Sequence, residues 1–206
     1  MTAGDKKDSA PLKPGQAADY LSFLSSAAQE ISSSLDYSAT LKNVAHAMIP
    51  KLSDWCAVDI AQPDGSLKRL AIAHIDSKMI KKALELSKKY PRDTKAKSGS
   101  PHVLRTGEPN MSNGITEDQL VASAVNDEHL AMMRAMNFHS LMIVPIKSRG
   151  KSLGTITFVW AESGNSYSLA DLAFAQTLAA IAGSAIDNSQ LYLAAKKRKG
   201  YRRPAS

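Results

Sequence analysis

The residues able to do chemistry are few and far apart. Cys56 is the one cysteine among 206 residues. It stands inside "DWCAVDIA", a run of strand composition, where a free thiol is most often a small hydrophobe. A thiol relay needs a second cysteine to resolve the adduct formed by the first, so one cysteine cannot complete such a cycle within the chain. It forms no internal disulfide either, and that usage fits a reducing, cytoplasmic compartment. The five histidines (His46, His74, His102, His129 and His139) contain no pair at ligand spacing such as H-x-x-x-H. No G-x-S-x-G elbow marks a serine nucleophile. Type and spacing therefore predict a protein that is not an enzyme, with no metal site and no cofactor required.

Charge points the same way once it is located. The net charge is +7, which by itself suggests nucleic acid. Six basic residues between Lys196 and Arg203, with no acidic ones, account for all but one of that excess. A second excess lies in Lys78 to Lys97, eight basic residues against Glu85 and Asp93. Nucleic-acid binders carry their charge as a stripe on the folded domain, often with aromatics for stacking. Charge confined to a tail and one helix predicts no nucleic-acid partner. No apolar run reaches the roughly 20 residues that span a bilayer, and the start "MTAGDKKDSAPLKPG" lacks an apolar signal core. No membrane partner is expected.

If the chain binds something small, the natural candidates are polar or aromatic residues within otherwise apolar strands, since pockets are mostly apolar with a few placed polar groups. That criterion selects Trp55, His74, Ser140, Thr157 and Trp160. His102 and Arg105 join them from a loop-helix segment able to roof a pocket. Packing is the competing role for each.

The elements that position these residues can be read from periodicity. Residues 1–17 are polar, with Pro11, Pro14 and Gly15, and are expected to be disordered. Leu21, Leu24, Ala28, Ile31 and Leu35 recur at helical spacing, and Asp36 is placed to cap a second helix carrying Leu41, Val44, Ala45, Met48 and Ile49. "DWCAVDIA" and "LKRLAIAHI" flank Asp64-Gly65, a strong hairpin signal. A helix follows over Met79 to Tyr90, then a loop, "PRDTKAKSGSP". "HVLRTGEPNM" reads as one helical turn, a glycine turn and a short edge strand, since Pro109 cannot donate to a ladder. Thr116 to Gln119 has capping-box spacing and predicts a helix to about Met136. "HSLMIVPI" and "SLGTITFVW" form a second hairpin, and Ser168 to Asp171 opens the last helix. The fold class is α+β, with helices at both ends and an antiparallel sheet of five or six strands between. The domain spans 18–195, and 196–206 is a basic tail or a linker to an output domain.

Four stretches in this order resemble a GAF domain of the kind found in bacterial sensor histidine kinases and signalling phosphatases. They are "SLDYSATLKNVAHAMIPKLSDWCAVDIAQPDGSLKRLAIAH", "VLRTGEP", "FHSLMIVPIKSRGKSLGTITFVWAESGNSYSLADLAFAQTLA" and "AAIAGSAIDNSQLY". The resemblance covers Leu21 to Leu193. It implies a six-stranded antiparallel sheet with terminal helices on one face and a loop-covered ligand pocket on the other. It also implies a sensory and dimerisation module in signal transduction. Two departures matter. The cyclic-nucleotide signature of mammalian phosphodiesterase GAF domains is not recognisable, and Cys56 matches no bilin-attachment position. The methionine sulfoxide reductase branch of the family works through several cysteines, which this chain does not have.

The final helix carries two apolar seams. Phe174, Leu178, Ile181, Ala185, Asn188 and Tyr192 form one, and Leu172, Ala175, Ala179, Ala182, Ile186 and Leu193 the other. One seam can face the sheet while the other meets a partner helix, so a homodimer is expected through Phe174, Leu178, Ile181, Ala182, Ala185 or Ile186. The lysines of Lys78 to Lys97 surround the expected pocket mouth and favour an anion or nucleotide as ligand. A ligand-free dimerisation element and a stand-alone redox enzyme are the alternatives.

Overall fold

The computed structural model describes residues 16–33 and 36–200. Expectations about residues 1–15, Leu35 and 201–206 fall outside the described residues. The chain runs α1 (Gln16–Ser33), α2 (Tyr37–Ala47), β1 (Trp55–Ala61), β2 (Leu67–His74), α3 (Ser77–Lys89), α4 (Gly99–Thr106), β3 (Asn110–Asn113), α5 (Glu117–Ser123), α6 (Asp127–Arg134), β4 (Ser140–Ser148), β5 (Lys151–Trp160) and α7 (Leu169–Gly200). The backbone of α7 thus passes through the basic run at Lys196–Lys199.

Local chemistry starts these elements, at Asp36 and Ser168 as the sequence predicts and at Asp76 where no cap was expected. Asp36 accepts hydrogen bonds from the N–H groups of Ser38 and Ala39, and Asp76 does the same for Lys78 at the start of α3. Ser168 and Asp171 cap α7 reciprocally: the Asp171 N–H donates to Ser168 Oγ, and the Ser168 N–H donates to the Asp171 carboxylate. The β4–β5 hairpin turns at Arg149 and Gly150, with φ of 48° and 76°. Successive positive φ values are the two-residue turn whose twist matches the strands it joins.

The strand order is β2-β1-β5-β4-β3, and all neighbours are antiparallel. Five strands are therefore present among the described residues, where the family resemblance implied six. Residues alternate between the two faces. Cys56, Val58, Ala71, Ala73, Met142, Val144, Ile146, Ile156, Phe158 and Trp160 point to one side. They form the main core with Leu41, Val44 and Met48 of α2 and with Phe174, Ala175, Leu178, Ala179, Ala182 and Ile186 of α7. α1 covers α7 through Tyr20 and Phe23, whose rings meet Phe174, and the Tyr20 hydroxyl donates to Asp171.

The closeness of α7 to the sheet rests on a glycine. A Cβ on Gly183 would lie 2.1 Å from the carbonyl oxygen of Lys147 at the end of β4. Only a residue without a side chain lets helix and strand backbone meet there. α7 is long and apolar enough by composition to cross a membrane, against the expectation from apolar runs; Phe174, Ala175, Leu178, Ala179, Ala182 and Ile186 are buried in this core.

Three expectations are corrected. The helix from Thr116 does not run to Met136. Its capping box forms, but Ala124 is extended, and Asn126 accepts from the His129 N–H to start α6. A second cap outcompetes continuation because it satisfies amide groups that a broken helix end leaves open. The segment read as loop to Pro101 is already helical from Gly99. Leu21, assigned to the apolar face of α1, is 69% exposed, and Ala27 is buried there instead.

Candidate functional site

The outer face of the sheet, opposite α1, α2 and α7, is not uniform. At one end Trp55 packs with Ala83, Met136, Val159 and Ala161 under α3. His74, paired with Trp55 across β1 and β2, lies with its ring centroid 4.1 Å from that of Trp55. Its Nδ1 accepts from the Asp76 N–H at 2.9 Å, and its Nε2 is 3.4 Å from Glu162. This end is filled and closed. In the middle, Thr157 meets Ser100 of α4 at 3.2 Å between hydroxyl oxygens, which ties the roof to the floor.

The other end is charged. Asp59 projects outward two residues on from Ala57, with its carboxylate 1% exposed. A bulge in β2 just before Ala71 removes Leu70 from the register, so Val58 pairs with Ala71 but Asp59 pairs with Arg69. The extra residue re-aims the strand, as bulges near functional sites commonly do. Arg69 grips the carboxylate with two nitrogens, Nε at 2.5 Å and Nη2 at 3.1 Å. Arg92, from the segment after α3, adds Nη1 at 2.7 Å. Burial raises the Asp59 pKa, but the two guanidinium charges and their hydrogen bonds more than offset it and hold the carboxyl below its usual range. Two positive charges against one negative leave the cluster at +1.

A cavity of about 190 Å³ opens onto this cluster. Its walls are the β1–β2 hairpin, Ser87 near the end of α3, Arg92 and Thr94 of the following segment, and Pro101 of α4. That segment is held in place by Arg105, which donates to the carbonyl oxygens of Thr94, Ala96 and Pro101.

The expected pocket residues therefore separate. Trp55, His74 and Thr157 share the outer face, Trp55 and His74 in its closed apolar end and Thr157 beneath α4. Ser140 and Trp160, opposite one another in β4 and β5, belong to the inner face, where Trp160 is part of the main core and stacks on Tyr167. His102 is half-buried on α4, and Arg105 braces the cavity wall from behind. Asp59, Arg69 and Arg92 were missed. The signal was present: Asp59 is a charged residue inside an apolar strand, the very criterion that selected Thr157.

Cys56 is 1% exposed on the inner face, and burial pushes its thiol pKa well up. A thiol that stays protonated is neither nucleophile nor ready metal ligand. Among the described residues no three side chains of His, Cys, Asp or Glu gather as a metal site. Asp54, also buried, is occupied in structure: it accepts from the N–H groups of Ala161 and Ser163 and from the Ser163 hydroxyl, fixing the turn after β5.

On α7, both seams contribute to one broad buried face. Phe174, Leu178, Ala182 and Ile186 are covered within the chain, whereas Ile181 and Ala185 are half-buried at the margin of the same core. Beyond them Leu191, Tyr192 and Leu193 are about half exposed, at 46%, 51% and 51%.

Terminal helices thus pack on one face of a five-stranded antiparallel sheet, and a small roofed cavity lies on the other. A GAF domain family model matches residues 34–187, and the chain belongs to that family. A comparison with curated proteins found no match. Among solved structures, the chain is similar to the GAF domain of a phosphoenolpyruvate-protein phosphotransferase from Coxiella burnetii. The identity is 20% and the TM-score 0.64, over 86% of this chain and 98% of that one. It is similar to a free methionine-R-sulfoxide reductase from Neisseria meningitidis, solved with its substrate, at 16% identity and a TM-score of 0.62, over 90% and 96% of the two chains. It also resembles a domain described as belonging to a two-component sensor histidine kinase protein from Sinorhizobium meliloti, at 12% identity and 0.51, over 76% and 94%. At these identities the likeness is one of fold.

Proposed function

We propose that this GAF domain is a non-catalytic sensory and dimerisation module of cytoplasmic signal transduction. A small molecule occupies the cavity beside Asp59, Arg69 and Arg92, and occupancy shifts the packing of the terminal helices across a homodimer. The observation that carries the reading is the position of that cavity. It lies on the sheet face opposite α1 and α7, so a change in its roof reaches the helices only through the sheet. A ligand that prefers one arrangement of the roof shifts the population of the whole domain toward it. The similar domains in a phosphotransferase and a sensor histidine kinase protein support a regulatory place of this kind, upstream of a kinase, phosphatase or phosphotransferase output.

The redox reading draws on the likeness to a methionine sulfoxide reductase, but a thiol buried and held protonated like Cys56 opposes it. A ligand-free dimerisation element is favoured by one observation only, the exposed apolar end of α7. Native mass spectrometry of the purified protein, paired with a thermal-shift screen of metabolites, tests the choice. Added mass or a stabilising compound, together with a dimer, supports the sensor. A dimer that no compound stabilises supports the structural element and sinks the sensor.

A further inference from the structure

The charge cluster at the cavity does not present its three members equally. Asp59 is 1% exposed, and both of its oxygens are taken. Arg69 and Arg92 keep side-chain exposures of 19% and 40%. A molecule entering the cavity therefore meets guanidinium edges and not the carboxylate. The surplus charge of +1 lies on the accessible side, so an incoming ligand with one negative charge neutralises the cluster.

The two arginines also differ in how firmly they are held. Arg69 makes a two-point fork with Asp59 from within a paired strand, the stronger and more directional geometry. Arg92 makes one bond from a segment, residues 91–98, that belongs to no helix or strand before α4 begins at Gly99. A guanidinium carries five donors, and this bond uses one of them. Arg92 is the partner that can turn toward a second carboxylate while Asp59 keeps the fork of Arg69.

Size narrows the ligand. About 190 Å³ lies below the roughly 300 Å³ at which sites for drug-sized molecules begin, which leaves little room for a base, ribose and phosphate together. Ser87 and Thr94 on the walls carry hydroxyls able to meet a short polar body, whereas that of Ser66 donates to Asp64.

We infer that the cavity binds a compact organic acid carrying a single carboxylate, and that Arg92 passes from Asp59 to that carboxylate when it binds. The inference rests on the ligand-sensing reading above and gives it a ligand class and a moving part. Arg105 makes the move consequential. It holds the carbonyls of Thr94 and Ala96 to α4, and α4 meets the sheet at Ser100 and Thr157. Displacement of Arg92 is thereby transmitted to the 91–98 segment, to α4 and to the centre of β5.

Thermal shift and hydrogen exchange on the full chain test this with defined probes. Propionate and pyruvate are compared with propionamide, ethylammonium and inorganic phosphate at matched ionic strength, for wild type and Arg92→Gln. The fork between Arg69 and Asp59 is left intact in the variant, so the variant should fold, and each protein's shift is read against its own melting temperature without acid. Carboxylates near a hundred times their dissociation constant should raise the wild-type melting temperature by roughly 5 °C or more. They should also alter amide exchange within 92–106, and both effects should weaken about tenfold in apparent affinity in Arg92→Gln, the loss of one charge-assisted hydrogen bond. Equal shifts from propionate and propionamide, a shift from phosphate alone, or full retention of the effect in Arg92→Gln overturn the inference. A response to neutral or cationic compounds only removes the acid and leaves the sensor. No response from any compound in the broad screen removes both.

Discussion

Arg92 Nη1 stands 2.7 Å from a carboxylate oxygen of Asp59, a side chain 1% exposed at the charged end of the sheet's outer face. The two residues are 33 positions apart, and one helix and one hairpin must fold before they meet. This contact joins the segment after α3 to the floor of the cavity, and it makes Asp59 the point on which the charged end of the site depends.

Removing that carboxylate should be costly. Asp59→Ala leaves Arg69 partly buried without its fork, and truncating one partner of a buried ion pair typically destabilises by about 3–5 kcal/mol. Urea unfolding should show a lower midpoint with an unchanged slope. The double variant Asp59→Ala/Arg69→Met should recover much of the loss, because the uncompensated charge goes with its partner. A single variant as stable as wild type would show that the cluster contributes nothing to the fold.

Acid stability should carry the same signature. The folded pKa of Asp59 is lowered, so the unfolded chain takes up its proton first, near the ordinary aspartate value of about 3.9. Its stabilisation is then fully present above that pH and is lost as pH falls through the folded value. Asp54 is lowered as well: burial raises it, while the bonds from Ser163 and Ala161 more than compensate. Wild-type stability should therefore fall steeply below about pH 4, and Asp59→Asn should flatten part of that limb. An identical acid slope in the two proteins would contradict the depressed carboxyl.

On α7, neighbouring substitutions should behave differently. Ala182 is fully buried in the core, and Ile181 is half-buried at its margin. Ala182→Arg forces a charge into the core, an unpaired burial costing several kcal/mol, and should not yield a folded domain. Ile181→Arg should fold with native circular dichroism. Sedimentation should then show it to be a monomer while wild type sediments as a dimer. A wild type that remains monomeric at high concentration, or an Ile181→Arg dimer as tight as wild type, argues against pairing through this stripe.

Cys56 should be silent. It is buried, and its thiol is held protonated, so a disulfide reagent should label it only on unfolding, and Cys56→Ala should bind any ligand as wild type does. Rapid labelling of the native protein would reopen the redox reading.

How much of this was legible beforehand depends on the range of the interaction involved. Caps and turns are decided within a few residues, and Asp36, Asp64-Gly65, Thr116 and Ser168 fall where the sequence places them. Helix and strand periodicity set the α+β class, the order of elements and the edge position of the short strand at Asn110–Asn113. A competing local signal was overlooked at Asn126, where a second cap ends one expected helix and begins another.

The site was legible only in part, because membership of a sheet face depends on register. Thr157 and Trp160 look alike in sequence, as exceptions within an apolar strand, yet an odd spacing puts them on opposite faces. Asp59 and Arg69 face one another only because Leu70 is bulged out of the ladder, a backbone event that no side-chain pattern announces. Arg92 reaches them across a fold that brings distant segments together. The two seams of α7 were visible in the sequence, but which of their residues stay uncovered was decided by how closely Gly183 lets the helix approach β4. Sequence alone thus determined what is local, the elements, their caps and the family resemblance. Tertiary structure decided which face each side chain took and where the charges meet, since both follow from contacts between segments far apart in the chain.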